Sequence, residues 1–169
     1  AEALLAHALD VGLVEAPFAA RELMLEPFRT DELALVVPAG HSWARRRSIQ
    51  PRELAGQPLI AREPESLTRQ LVEERLRALG VELSPTLELG GLDAIKNAVM
   101  AGLGVSFISR HAIGLEEKLG LLVVIPVEGL DLRRPFYCLQ HRSRYVSPSL
   151  QAFLDFVREP DGDHRQGAK

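Results

Sequence analysis

The chain has a single cysteine among its 169 residues, Cys138, so no intrachain disulfide can form, which fits a reducing cytoplasm. No apolar run approaches the roughly 18 residues that span a bilayer, and no charged stretch precedes an apolar signal core, so neither membrane insertion nor secretion is expected. Neither charge dominates. Twenty Lys and Arg are interspersed with 23 Asp and Glu for a net charge of −3, so no basic face announces nucleic acid or an anionic surface. The one basic run, Arg45-Arg46-Arg47, reads as a solvated turn. Repeats and low-complexity segments are also lacking. The five histidines, His7, His41, His111, His141 and His164, show no metal-ligand spacing. Ser106, in the stretch GVSFI, has glycine two residues before it but none two after, so it makes no nucleophile elbow. The carboxylate pairs Glu73-Glu74 and Glu116-Glu117 are expected on solvent faces of helices rather than as an acid/base dyad. No cofactor, metal or enzymatic activity is expected.

What is present is a globular composition: 46% hydrophobic residues and near-zero mean hydropathy, enough for one core or two small ones. The chain opens on Ala1-Glu-Ala-Leu-Leu-Ala rather than Met, already inside a helical pattern, as a fragment would. Residues 10–14 (DVGLV) and 23–28 read as extended, and 33–37 (LALVV) is the continuous apolar run of a strand covered on both faces. A short helix at 51–54, a strand at 59–61 and a helix at 67–79 follow. That last helix has Ser66 as its N-cap and Leu67, Leu71, Val72, Leu76 and Leu79 facing inward. Strand 86–89, a helix carrying Leu92, Ile95, Ala98 and Val99, and strand 105–108 extend the series to a mainly parallel sheet flanked by helices. Strands at 121–125 and 136–140 come next. A final helix starts at Ser147-Pro148, turns Leu150, Phe153, Leu154 and Val157 inward, and stops at Pro160.

Gly102 and Gly104 lie after a helix and before a strand. A phosphate-binding glycine cluster needs the reverse order, with free N–H groups at a helix start. Gly102 is therefore expected at positive φ closing the helix, with Gly104 allowing an immediate turn into the strand.

The stretch Arg62-Glu63-Pro64-Glu65-Ser66-Leu67-Thr68-Arg69 joins a strand end to a helix start, where ligands of open α/β sheets bind because unpaired N–H groups and the positive dipole end converge. Ser66 and Thr68 add hydroxyls and Arg69 a charge, a combination suited to a small anion. The alternative is a solvated Arg69 and a Ser66 that only caps. On the first reading Thr68→Val weakens ligand binding with little effect on stability, whereas Ser66→Ala loses both.

The order of these motifs resembles the effector-binding domain of LysR-type transcriptional regulators. Carrying the resemblance are Asp10-Val-Gly-Leu-Val14, Asp31-Glu-Leu-Ala-Leu-Val36, His41-Ser-Trp-Ala44, Leu54, Pro58-Leu-Ile60 and Ser66-Leu-Thr-Arg69. Glu88-Leu-Gly-Gly91, Ala94-Ile-Lys96, Val99, Ala101-Gly-Leu-Gly104, Ser147-Pro-Ser-Leu150 and Phe153-Leu154 continue it. The resemblance implies an α/β, two-lobe fold like type 2 periplasmic binding proteins, each lobe a mostly parallel sheet, with two crossing segments and a small effector in the cleft. Residues 1–37 and 116–160 would form lobe I, 38–115 lobe II, and 161–169 a disordered tail. A winged helix-turn-helix, a linker helix and the first strand-helix unit would precede Ala1, leaving lobe I incomplete.

The same resemblance puts effector contacts on Glu63, Pro64, Ser66, Thr68 and Arg69, with Gly90 and Gly91 at the neighbouring helix start. Glu65 stands where the family often has glycine, and Gly91-Leu92 where it often has Ser or Thr. The implied function is a cytoplasmic sensor of a small anionic metabolite that controls a DNA-binding domain absent from this chain, working as a homodimer or homotetramer. Candidate pairing surfaces are the strand after Ala16 and the 67–79 helix. Rival readings are a transporter's solute-binding protein or an enzyme on the same fold.

Overall fold

The structure, a computed structural model, describes residues 1–15 and 20–159. Its helices are α1 (Glu2–Leu5), α2 (Leu67–Ala78), α3 (Leu92–Met100), α4 (Gly114–Lys118) and α5 (Pro148–Arg158). The strands are β1 (Gly12–Val14), β2 (Leu23–Pro38), β3 (Ile60–Ala61), β4 (Leu87–Glu88), β5 (Ser106–Ser109), β6 (Leu122–Ile125) and β7 (Arg133–His141). The chain packs as two compact units, Asp31–Arg134, and Ala1–Thr30 with the chain from Pro135 onward. The expected loop through Pro17, the stop at Pro160 and the tail 161–169 lie outside the described residues.

The central unit is built on the second half of β2. That strand runs antiparallel to β5 on one side (Leu35 opposite Phe107) and to β6 on the other (Leu35 opposite Ile125). A parallel bridge from Leu59 to Val105 brings in β3, which pairs in parallel with β4. The order β4-β3-β5-β2-β6 follows, with β2 running against four strands that share one direction. Side chains of β2 alternate between two cores. Leu33, Leu35 and Val37 pack with Phe107, Ile125 and the α2 residues Val72 and Leu76. Val36 packs with Ile60, Ile108 and the α3 residues Ile95, Ala98 and Val99. The uninterrupted LALVV run is thus explained, because each face of the strand meets a helical layer.

In the other unit β1 pairs antiparallel with β7, Gly12 opposite Leu139. Period-two alternation sends Leu139 to a cluster with Leu4 and Leu23, and Cys138 to Leu150 and Leu154 of α5. The α5 start is as expected: the Ser147 hydroxyl accepts from the Leu150 amide at 3.2 Å, and Pro148 occupies the first turn.

Several expectations change. The runs 23–28 and 33–37 are one strand of 16 residues, whose polar middle read as a break. Compact packing divides the chain within β2 and within β7, because β6 joins the central sheet and keeps 116–134 there. Leu67 is 49% exposed, being half a helical turn around from Leu76, and Leu79 lies beyond the last α2 turn, also exposed. Phe153 sits at the edge of the stripe formed by Leu150, Leu154 and Val157, and is 41% exposed. Glu116 does not stand in solvent: Lys96 Nζ donates to it at 2.9 Å, which lowers its pKa. Glu73 is likewise drawn into an ion pair. Of the three arginines at 45–47, Arg46 forks onto Glu53, whose pKa falls to about 2 under that hydrogen bond.

Gly102 has φ +78°, and its amide donates to Val99 O while Leu103 N donates to Ala98 O, the paired closing bonds of a helix ended by glycine. Gly104 has another reason than the one expected. A Cβ there would meet the Pro58 carbonyl oxygen at 2.5 Å, so the residue is small because β5 enters the sheet hard against the segment leading into β3.

Candidate effector site

The end of β3 turns at Arg62 and re-enters helix at Leu67. Arg62 grips Glu63 with two bonds, Nε to Oε2 at 2.8 Å and Nη2 to Oε1 at 2.6 Å, which holds the Glu63 carboxyl down to about 2. The Ser66 amide donates to Glu63 O at 3.0 Å, closing the turn, and the Pro64 carbonyl accepts from Gln70 Nε2 at 3.2 Å. Glu65 is exposed. Ser66 occupies the N-cap with an extended backbone, but its side chain makes no cap bond, which corrects the expectation that this hydroxyl closes the helix. The first N–H groups of α2 therefore keep their outward bonding capacity, and the dipole's positive end lies with them.

Two further predicted residues are committed within the protein. Arg69, expected as a charge for an anion, is a tie. Its Nε donates to Glu73 at 2.7 Å, and its Nη1 to Glu88 at 2.6 Å and to the Arg62 carbonyl at 3.0 Å. These bonds raise the Arg69 pKa, that to Glu73 first, and fasten α2 to β4 and to the loop. Thr68 Oγ1 accepts from Arg134 Nη1 at 3.0 Å. Arg62, Thr68 and Arg69 line one pocket with Ala61, Ser106 and Phe107; its water-accessible volume of about 30 Å³ holds one or two waters. Glu63, Pro64 and Ser66 sit outside that lining, as do Gly90 and Gly91, which are exposed at the start of α3, where Gly91 is the N-cap.

Sequence reading missed three residues beside Thr68. Asp31 is fully buried, accepting from Ser109 Oγ at 2.6 Å and from Arg134 Nε at 2.9 Å, and Arg134 links this pair to α2. One signal was available, an acidic pair, Asp31-Glu32, directly before the apolar run 33–37. Arg134 could not be told from its neighbour Arg133, which pairs locally with Asp131 on the surface.

The model of the LysR substrate binding domain matches residues 1–161. The chain belongs to that family. Among its relatives, the HTH-type transcriptional regulator CbbR of Sinorhizobium medicae is 35% identical over 152 residues, 89% of this chain and 49% of that protein. YeiE of Escherichia coli K12, also an HTH-type transcriptional regulator, is 35% identical over 155 residues, 92% of this chain and 53% of that protein. The LysR chain spans about half the length of the curated relatives it matches. Among solved structures, the CcmR regulatory domain of Synechocystis PCC6803 in complex with 2-PG superposes with a TM-score of 0.81 at 26% identity, covering 93% of this chain and 76% of that one. The effector binding domain of QuiR, solved with shikimate, shares the fold with a TM-score of 0.75 at 19% identity over 92% of this chain and 73% of its own. The α/β fold of this LysR domain is thus the type 2 periplasmic-binding-protein-like fold of such regulatory domains.

Proposed function

We propose that this LysR domain is the sensor of a cytoplasmic transcription factor, taking a small anionic effector at the start of α2 and passing its occupancy to a DNA-binding domain elsewhere in the protein. The observation that carries the reading is the α2 start itself. Its N-cap serine leaves the hydroxyl unspent on the helix, so hydroxyl and first-turn amides can turn together to one ligand oxygen. Both arginines of the loop, Arg62 and Arg69, are already paired, so the anion is held by neutral donors and the helix dipole. Glu63, Pro64 and Arg69 shape the loop, while Ser66, Thr68 and the amides of Gly90 and Gly91 donate. 2-PG, the ligand of the CcmR complex, serves as the probe of this donor set. That the relatives are transcriptional regulators supports sensing over catalysis, and Ser106 spends its hydroxyl on the Ile60 carbonyl at 2.8 Å. Self-association as a homodimer or homotetramer uses the α2 surface, where Leu67 and Leu79 are exposed.

The test is thermal unfolding of the intact regulator with and without 2-PG. A ligand that binds only the folded state raises Tm in proportion to the logarithm of its concentration. The reading expects that rise in the wild type and a smaller one in Ser66→Ala; equal rises in both would remove this loop from the site.

A further inference from the structure

Two of the few buried charged side chains face each other where the chain enters and leaves the central unit. Asp31 is the first residue of that unit and fully buried; Arg134 is the last and 9% exposed. Arg134 Nε and Nη2 both lie 2.9 Å from Asp31 Oδ2, and Asp31 Oδ1 accepts from Ser109 Oγ at 2.6 Å. The guanidinium's Nη1 donates to Thr68 Oγ1 at 3.0 Å. Burying an ion pair costs desolvation that its attraction seldom repays, and packed apolar residues in its place are often at least as stable. The pair is better accounted for by what it holds in place.

We infer that Arg134, locked by Asp31, is a positioning residue that aims the Thr68 hydroxyl at an acceptor atom of the effector. A threonine hydroxyl has one hydrogen and two lone pairs. With one lone pair facing a cationic N–H, the hydrogen cannot point towards Arg134 and is turned to the other side of the oxygen. The cation also polarises the O–H bond and makes it a stronger donor. At that point the site favours a carboxylate or phosphate oxygen, because the one hydrogen of the hydroxyl is turned to the ligand side. Lysine, a point charge on a shorter and flexible stem, lacks the fixed fork that sets the bonds to Asp31 and Thr68 together, so it does not substitute. Asp31 acts one step back, fixing the fork, and Ser109 fixes Asp31.

The inference rests on the effector-site reading above, and a double-mutant cycle separates the two. The intact regulator is titrated calorimetrically with 2-PG at one ionic strength as wild type, Thr68→Val, Arg134→Lys and the pair combined, with a thermal melt of each. Thr68→Val and Arg134→Lys should each weaken binding about tenfold, and the double variant should bind no more weakly than Thr68→Val alone, since both remove one contact. Thr68→Ser, which keeps the hydroxyl, should bind like wild type. Where Arg134→Lys does not fold, Asp31→Asn enters the same cycle with the same expectation. Wild-type affinity in the Arg134 variant beside a weakened Thr68→Val, or losses that multiply in the double variant, overturns the inference and leaves the site standing. Wild-type affinity in Thr68→Val, or no binding by the wild type, overturns the site and the inference with it.

Discussion

At the residue scale, the two hydroxyls of the α2 start exchange the roles that sequence assigns them. Serine before a helix reads as a cap, and threonine at the second helical position reads as a free donor. In the fold Ser66 makes no cap bond and Thr68 receives a buried guanidinium. Ser66→Ala should therefore change stability by only a few tenths of a kcal/mol, whereas Thr68→Val removes the hydroxyl that accepts from the buried Arg134 and should cost about 1 to 3 kcal/mol. Urea unfolding of both variants checks the order; a larger loss in Ser66→Ala would restore the capping role. Gly104→Ala supplies a second test. Its Cβ would lie 2.5 Å from the Pro58 carbonyl oxygen, a backbone atom that moves only with the sheet, so a loss of about 1 to 3 kcal/mol is expected by denaturant titration. A Gly104→Ala variant as stable as wild type would show that the strand entry is loose.

At the element scale, caps and alternation make most of the fold legible, and long-range pairing makes the rest illegible. Ser147-Pro148 announces α5 because a serine oxygen and a proline ring each suit one position of a helix start, and both are found there. Ser147→Ala should lower stability by about 1 kcal/mol, read as a shifted urea midpoint with unchanged slope. The LALVV run announces a strand covered on both faces, but not that β2 runs against its neighbours, since apolar pattern carries no direction. The length of β2 was hidden by its polar stretch from Arg29 to Glu32. That stretch is where Asp31 turns inward to Arg134, a partner more than a hundred residues away in sequence. Of the Arg69 ties, the one to Glu73 lies at helical spacing and is legible, whereas the one to Glu88 joins a helix to a separate strand and is not.

At the scale of the whole molecule, charge is balanced in local arginine-carboxylate pairs. Glu53 and Glu63 are both held to about 2, each first by the hydrogen bond from its arginine. A carboxyl depressed below its unfolded value of about 4.5 contributes stability that is present above that pH and lost as pH falls towards about 2. Stability should thus decline through this acid window. Because these side chains are partly exposed, the decline should be shallower in high salt. Urea midpoints across the window, at low and high salt, check this; a midpoint flat from neutral pH down to about 2 would contradict the pairing.

The proposed oxyanion site at the start of α2 in this LysR domain is tested by mapping backbone amide resonances of the intact regulator during titration with 2-PG. An oxygen bound there shifts the amides it touches more than any others. The largest saturable shifts are expected on Ser66, Leu67, Thr68 and Arg69, with smaller ones at Gly90 and Gly91. Saturable shifts gathered elsewhere in the chain, with residues 66–69 unmoved, would contradict it.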